Sequence, residues 1–332
     1  MVRTRGDARR SVEELAEEAW LVYREVMHLR WAVEMKRRVD VVKEWIVARF
    51  EREGAISAGF MHSMARLEAG GVKLQGRNNE GQAPPASYPG DALKLSGGRM
   101  HTVVMRPDRS VSFFGNNYQN QAPPAGLPGP FVDVSGGDDF SILARVDGHA
   151  DCIGFNTYVP PGGVAGPFVS VSAGETFAMG LSKRGKLEFW GLVGGHGQPP
   201  AGTAPGVFKA VSAGYYHVLA LRFDGSARAF GSFDLDGEEP AEGRAGPFRQ
   251  VAAGGEGRFV GLRVDGTLEA WGGDNNRGQL NVPAGNQWVA ISAGYDFGLA
   301  LHEDGTVVGW GNNNRGQTNT IEGAKRFPAQ QQ

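Results

Sequence analysis

Residues 291–317 read ISAGYDFGLALHEDGTVVGWGNNNRGQ. A small triplet, Ser292-Ala293-Gly294, is followed by an apolar run from Phe297 to Leu301. An Asp304-Gly305 pair comes next, then a second apolar run ending in Trp310-Gly311, and finally an Asn- and Gly-rich string. Asp-Gly between two short apolar runs is a strong hairpin signal. A weaker copy of the last string, AWGGDNNRGQ, begins at Ala270. Two such strings are either one ligand motif used twice or the visible part of a repeat.

The triplets decide between these. Glycines at the end of a Ser-Ala-Gly-like triplet occur at Gly59, Gly98, Gly137, Gly174, Gly214, Gly254 and Gly294, 37–40 residues apart. A second glycine follows each at Gly76, Gly115, Gly154, Gly191, Gly231, Gly272 and Gly311. That interval is 17 residues in six units and 18 in the sixth, where GGEGRF carries one extra residue. Within a unit, an apolar pair such as Phe208 and Val211 opens the first strand, and an aromatic such as Phe114, Trp190, Phe230 or Trp271 closes the third. Further Asp-Gly pairs stand at Asp147-Gly148, Asp224-Gly225 and Asp265-Gly266. Short antiparallel strands repeated about every 40 residues build a β-propeller. The expected fold is an all-β propeller built from seven repeated units.

The pattern V-S-A-G-x-x-H-x-x-A-L-x-x-D-G-x-x-x-x-W-G-x-N-x-x-G-Q resembles the repeat of the regulator of chromosome condensation family. The resemblance covers residues 55–332 and implies a closed, seven-bladed propeller. The units are compact and similar to those of bacterial propellers, including the propeller-type inhibitor of β-lactamases. Three roles are implied: nucleotide exchange on a small GTPase, inhibition of an enzyme such as a β-lactamase, and substrate recruitment of the kind found in ubiquitin ligases. No long insertion is available to wedge into a nucleotide site, and nothing in the chain reads as a ligase catalytic domain.

Composition agrees with a globular β protein. Glycine makes up 51 of 332 residues, about twice the usual share, while 41% of residues are hydrophobic. A formal charge of −2 gives no global reason to expect nucleic acid or an anionic membrane as partner. The single Cys152 allows no internal disulfide. The start lacks a signal-peptide core and no apolar run reaches 18 residues, so a cytoplasmic protein is expected, with a nuclear one as the alternative.

Residues 1–54 differ from the rest: they are charged and nearly free of glycine. Ser11 and Glu14 form a capping box, and Val12, Leu15, Ala19, Val22, Val26, Leu29 and Val33 recur at three- and four-residue steps. This spacing predicts an amphipathic helix or helical hairpin, either packed on its own protein or serving as a coiled coil that docks or self-associates.

No cofactor, metal or catalytic constellation emerges. His62, His101 and His217 share a repeat position with Phe140, Phe177 and Phe297, and a position that exchanges His for Phe reads as structural. Cys152 lies on a third strand without a nucleophile signature. The DLDGEE segment at Asp234 is unit five's version of the Asn/Gly loop and lacks the remaining calcium-ligand spacing. The residues just after each triplet glycine vary most and read as relieved of packing. They are Phe60 and Met61, Arg99 and Met100, Asp138 and Asp139, Glu175, Tyr215 and Tyr216, Glu256, and Tyr295 and Asp296. Seven blades should bring them to one face, with the composition of a protein-binding surface. Tyr118 and Tyr158 form a weaker set on the loops after the third strands. Unit one has Glu53 where unit five has Phe208, so residues 324–328, with Phe327 at the head, are expected to complete the first blade.

Overall fold

The computed structural model describes residues 52–84, 88–155, 163–191, 202–204, 206–231 and 243–327, all within the compact unit Glu51–Gln332. The amphipathic stripe of residues 1–54 lies outside them up to residue 51, as do the DLDGEE segment and the Tyr158 loop.

The described chain forms seven antiparallel sheets, spanning residues 56–76, 94–115, 131–154, 168–191, 208–231, 248–271 and 288–311. In blade five the inner strand is Phe208–Ala213, the middle strand His217–Arg222 and the outer strand Ala227–Gly231. Inner strands touch in chain order, and the seventh, Trp288–Ala293, touches the first, Ile56–Ala58. This closes a seven-bladed propeller. Among the described residues, a fourth strand is nearly absent from these compact blades. Blade four has Gly202–Thr203, and five others have a single antiparallel bridge, such as Val72 with Tyr88.

The seam between blades explains the triplet. Each Ser hydroxyl accepts the backbone N–H just before the glycine of the next blade. Gly97 donates to Ser57 at 3.1 Å, Gly136 to Ser96 at 3.0 Å, Ala173 to Ser135 at 3.1 Å, Ala213 to Ser172 at 2.9 Å and Ala253 to Ser212 at 3.0 Å. Ala58 donates to Ser292 at 3.0 Å, which stitches blade seven to blade one. Blade six has Ala252 at this position, and there Gln250 substitutes. Its amide donates to Ile291 O at 2.9 Å and accepts from Ile291 N at 3.0 Å. The glycine is fixed by proximity: a Cβ on Gly98 would stand 2.6 Å from the Gly137 carbonyl oxygen, and one on Gly294 would stand 2.7 Å from that of Gly59.

The NNNRGQ string is turn chemistry. Asn313 Oδ1 accepts from Thr318 N at 2.9 Å, and the buried Gln317 Oε1 accepts from Arg315 N at 2.9 Å. Asn78 with Gln82, Asn117 with Gln121 and Asn275 with Gln279 repeat both bonds. The string satisfies its own backbone.

At the hairpins the Asp carboxylate accepts the N–H two residues on, as in Asp224 to Ser226 at 2.8 Å and Asp304 to Thr306 at 2.8 Å, while the following glycine takes positive φ. Blade two has Asp108-Arg109 instead, and Arg109 sits at φ 63°. A side chain there is held in the left-handed region at a cost of about 1–2 kcal/mol. Arg109→Gly is therefore expected to stabilise the protein by about 0.5–1 kcal/mol after the greater unfolded-state freedom of glycine is subtracted. Thermal melts of the two proteins check this, and a lower midpoint for the glycine variant would count against it.

Blade one is completed from the C-terminus, with a changed register. Ala324, not Phe327, takes the head position: it bridges Leu67, and its N–H reaches Gly305 O at 2.9 Å as Phe208 N reaches Gly185 O at 2.8 Å. Glu68 N to Gly323 O at 2.9 Å and Lys325 N to Arg66 O at 2.8 Å flank the bridge. Phe327 is instead buried in one apolar cluster with Ile56, Ala65, Leu299 and Ile321. The pairing is a bridge, not a strand, and residue 328 lies outside the described residues.

Candidate functional site

The turns that lead from inner to middle strands meet at one end of the central channel. The first residue after each triplet glycine lines its mouth: Phe60, Arg99, Asp138, Glu175, Tyr215, Gly255 and Tyr295, together with the Ala and Gly residues beneath them. The mouth holds a cavity of about 90 Å³ and opens to solvent. Met61, Met100, Asp139, Tyr216, Glu256 and Asp296 follow one position later and do not line it.

One half of the mouth is aromatic. The Phe60 and Tyr295 rings lie 4.3 Å apart between centroids, Tyr215 and Tyr295 5.3 Å, Phe60 and Tyr215 5.9 Å, and Tyr215 and Tyr216 4.6 Å. These rings come from blades one, five and seven and meet across blade six because that blade presents Gly255. A Cβ there would stand 2.5 Å from Tyr295 Cδ2. Tyr295 Oη donates to Glu256 Oε1 at 2.6 Å.

The other half is charged. Arg99 Nη1 meets Asp138 Oδ2 at 2.8 Å, and its guanidinium stands 5.5 Å from the Phe60 ring centroid. Burial pushes the Asp138 carboxyl up to about 6; Arg99 opposes this, and Asp139 and Glu175 add to it. Tyr215 and Tyr216 both hydrogen-bond Glu175, and burial holds the Tyr215 and Tyr295 phenols above their ordinary range.

The expectation that these positions are relieved of packing needs correction at two of them. Asp138 and Asp296 are buried, the first against Arg99 of the neighbouring blade, the second accepting Asn312 Nδ2 at 2.5 Å. The turns between strands are also seams between blades, which gives their side chains structural partners.

A functional neighbour the sequence reading missed is Arg258. In blade six it occupies the His/Phe position: Gly254 N donates to Arg258 O at 2.8 Å as Gly214 N does to His217 O at 2.8 Å. The signal was the extra residue in GGEGRF. Buried Arg258 binds Asp274 at 2.9 Å and donates to Tyr295 O at 2.9 Å, and so fixes the backbone that carries the tyrosine.

The histidines belong to the seams. His62 Nε2 lies 2.9 Å from Thr102 Oγ1, and His101 Nε2 lies 2.8 Å from Ser141 Oγ, each joining one blade to the next. Burial depresses all three imidazoles, His62 to about 3 and His101 and His217 to about 4. Burial also pushes the Cys152 thiol up to about 12, away from any nucleophilic use. Among the described residues no three His, Cys, Asp or Glu side chains are gathered to hold a metal ion.

A closed propeller with a half-aromatic, half-charged mouth belongs to the class of repeat proteins that present a rigid ring of loops. Residues 208–236 and 288–317, in blades five and seven, match the family model of the Regulator of chromosome condensation (RCC1) repeat. The chain thus carries RCC1 repeats and folds as an RCC1-type propeller. No match is found among curated proteins. Among solved structures, the chain is similar to the CRINKLY WD40 ectodomain of the Arabidopsis thaliana receptor kinase ACR4, at 21% identity and a TM-score of 0.62, over 79% of this chain and 96% of that one. It is also similar to human WBSCR16, at 17% identity and a TM-score of 0.60, over 74% and 86% of the two chains. Prp20p from Saccharomyces cerevisiae matches at 16% identity and a TM-score of 0.58, over 74% and 81%. These identities carry the architecture alone.

Proposed function

We propose that the protein is a non-enzymatic binding module whose channel mouth receives a protein partner. The observation that carries this reading is the cluster of Phe60, Tyr215, Tyr216 and Tyr295. Four half-buried aromatic rings are gathered from three blades on one face, around a glycine that lets them meet. Aromatic side chains held by their neighbours contribute large contact area at little entropic cost and dominate binding hot spots. Protein binding suits the fold. Prp20 has been solved bound to Kap60 and studied for binding to Gsp1p and histones; those partners are Prp20's own.

Affinity capture with the intact protein and with a Tyr215→Ala/Tyr216→Ala/Tyr295→Ala variant tests the reading. Loss of two or more hot-spot rings is expected to weaken the interaction by about 100-fold or more. The variant should retain a cooperative melt. A variant that keeps every partner at full strength would place the binding surface elsewhere.

A further inference from the structure

Resting on that reading, the structure assigns a chemistry to what enters the mouth: we infer that it takes a lysine or arginine side chain of the partner, held between the Asp138 and Glu175 carboxylates and the Tyr215 ring. Asp138 supplies the first ground. Its side chain is 10% exposed and Oδ2 is taken by Arg99, but Oδ1 is buried without a hydrogen-bond partner while the residue lines the mouth. A buried carboxylate oxygen left unmet costs free energy that a cationic donor recovers.

Charge balance is the second. The charged residues that line the mouth are Asp138 and Glu175 against Arg99, two acids to one base. A basic group is therefore drawn to this end of the channel and an acidic one turned away.

The third ground is the company the chain's own guanidinium keeps there. Arg99 lies against the Phe60 ring and on Asp138, so the mouth already supports one cation by an aromatic face and a carboxylate together. Tyr215, Asp138 with its unpartnered Oδ1, and Glu175 line the same cavity and bring together the same kinds of group.

The test uses the full chain and four peptides, acetyl-Gly-Gly-X-Gly-Gly-amide with X as arginine, lysine, citrulline or norleucine. Each is titrated while tyrosine ring signals are followed by NMR. The arginine and lysine peptides should saturate. Citrulline, which keeps the shape of arginine without its charge, and norleucine should bind at least about tenfold more weakly, the loss expected of one charge-assisted hydrogen bond. Asp138→Asn should weaken the arginine peptide by about tenfold and leave the norleucine titration unchanged. Citrulline binding as tightly as arginine, or no saturation by either basic peptide, overturns the inference. The peptide series on the unaltered protein decides the matter even if the variant folds poorly. Failure here with capture still lost in the tyrosine variant removes the basic side chain and keeps the protein-binding mouth; retained capture removes the reading itself.

Discussion

A chain ending at Asn319 is expected to lose most of its stability. Removing residues 320–332 takes away Ile321 and Phe327, both buried with Ala55, Ile56, Val289 and Leu299, and the Ala324 bridge to Leu67. Truncating one large buried apolar side chain costs about 2–5 kcal/mol. Two of them, with the five backbone hydrogen bonds that Ile321, Gly323, Ala324 and Lys325 make, approach the 5–15 kcal/mol that holds an ordinary domain together. The effect spreads beyond blade one, because each blade is held by its neighbours and the seam from Ser292 to Ala58 is the one that closes the ring. The truncated protein should melt more than about 10 °C lower or show no cooperative transition. Phe327→Ala alone, which leaves the backbone pairing in place, should account for about 3–5 kcal/mol of the loss in chemical denaturation. A truncated chain that melts with the full one would mean that blade one closes without this segment.

How much of this was legible follows from what each residue does. The Ser, the glycine and the Asp-Gly pairs act through the backbone at fixed offsets, so spacing disclosed seven repeated units of short antiparallel strands, and the family resemblance added their count as blades and their closure. The C-terminal register was misjudged because the last unit reaches its head position sooner. Gly305 to Ala324 is 19 residues where Gly225 to Phe248 is 23, so the aromatic landmark no longer marks the head. At the mouth, the repeat placed the first residue after each triplet glycine on one face but could not say which of them meet. The contact of Tyr215 with Tyr295 depends on an absent side chain at Gly255, and the burial of Asp138 depends on Arg99 from another blade. Arg258 was hidden by a one-residue insertion that moved it out of the repeat register. Repetition reveals what all blades share, and the candidate site is built from what single blades lack or add.

The three seam histidines make the propeller sensitive to acid in a window set by their depressed pKa values. In the unfolded chain they protonate near 6.5; in the fold His62 stays neutral to about 3, and His101 and His217 to about 4. Below 6.5 the unfolded chain therefore binds more protons than the folded one. Their contribution is complete above 6.5 and shrinks as the pH falls toward 4. At pH 5 each histidine withdraws up to about 2 kcal/mol, since 1.5 pH units at 1.36 kcal/mol each separate the states, and the three together up to about 6 kcal/mol. Asp138 works the other way. Its carboxyl is raised to about 6, so the fold takes up a proton before the unfolded chain does, and acidification returns part of the loss. The hairpin carboxylates Asp108, Asp224, Asp265 and Asp304 enter only at lower pH: the unfolded chain protonates them in their ordinary range, while hydrogen bonds from Ser110, Ser226, Thr267 and Thr306 hold them below it in the fold. Urea denaturation at pH 7.5 and pH 5 should show a fall of several kcal/mol. His217→Phe, which installs the residue that Phe140, Phe177 and Phe297 already hold at this position, should remove about one third of the histidine share. A variant whose stability falls between the two pH values as steeply as the parent's would show that His217 titrates alike in both states.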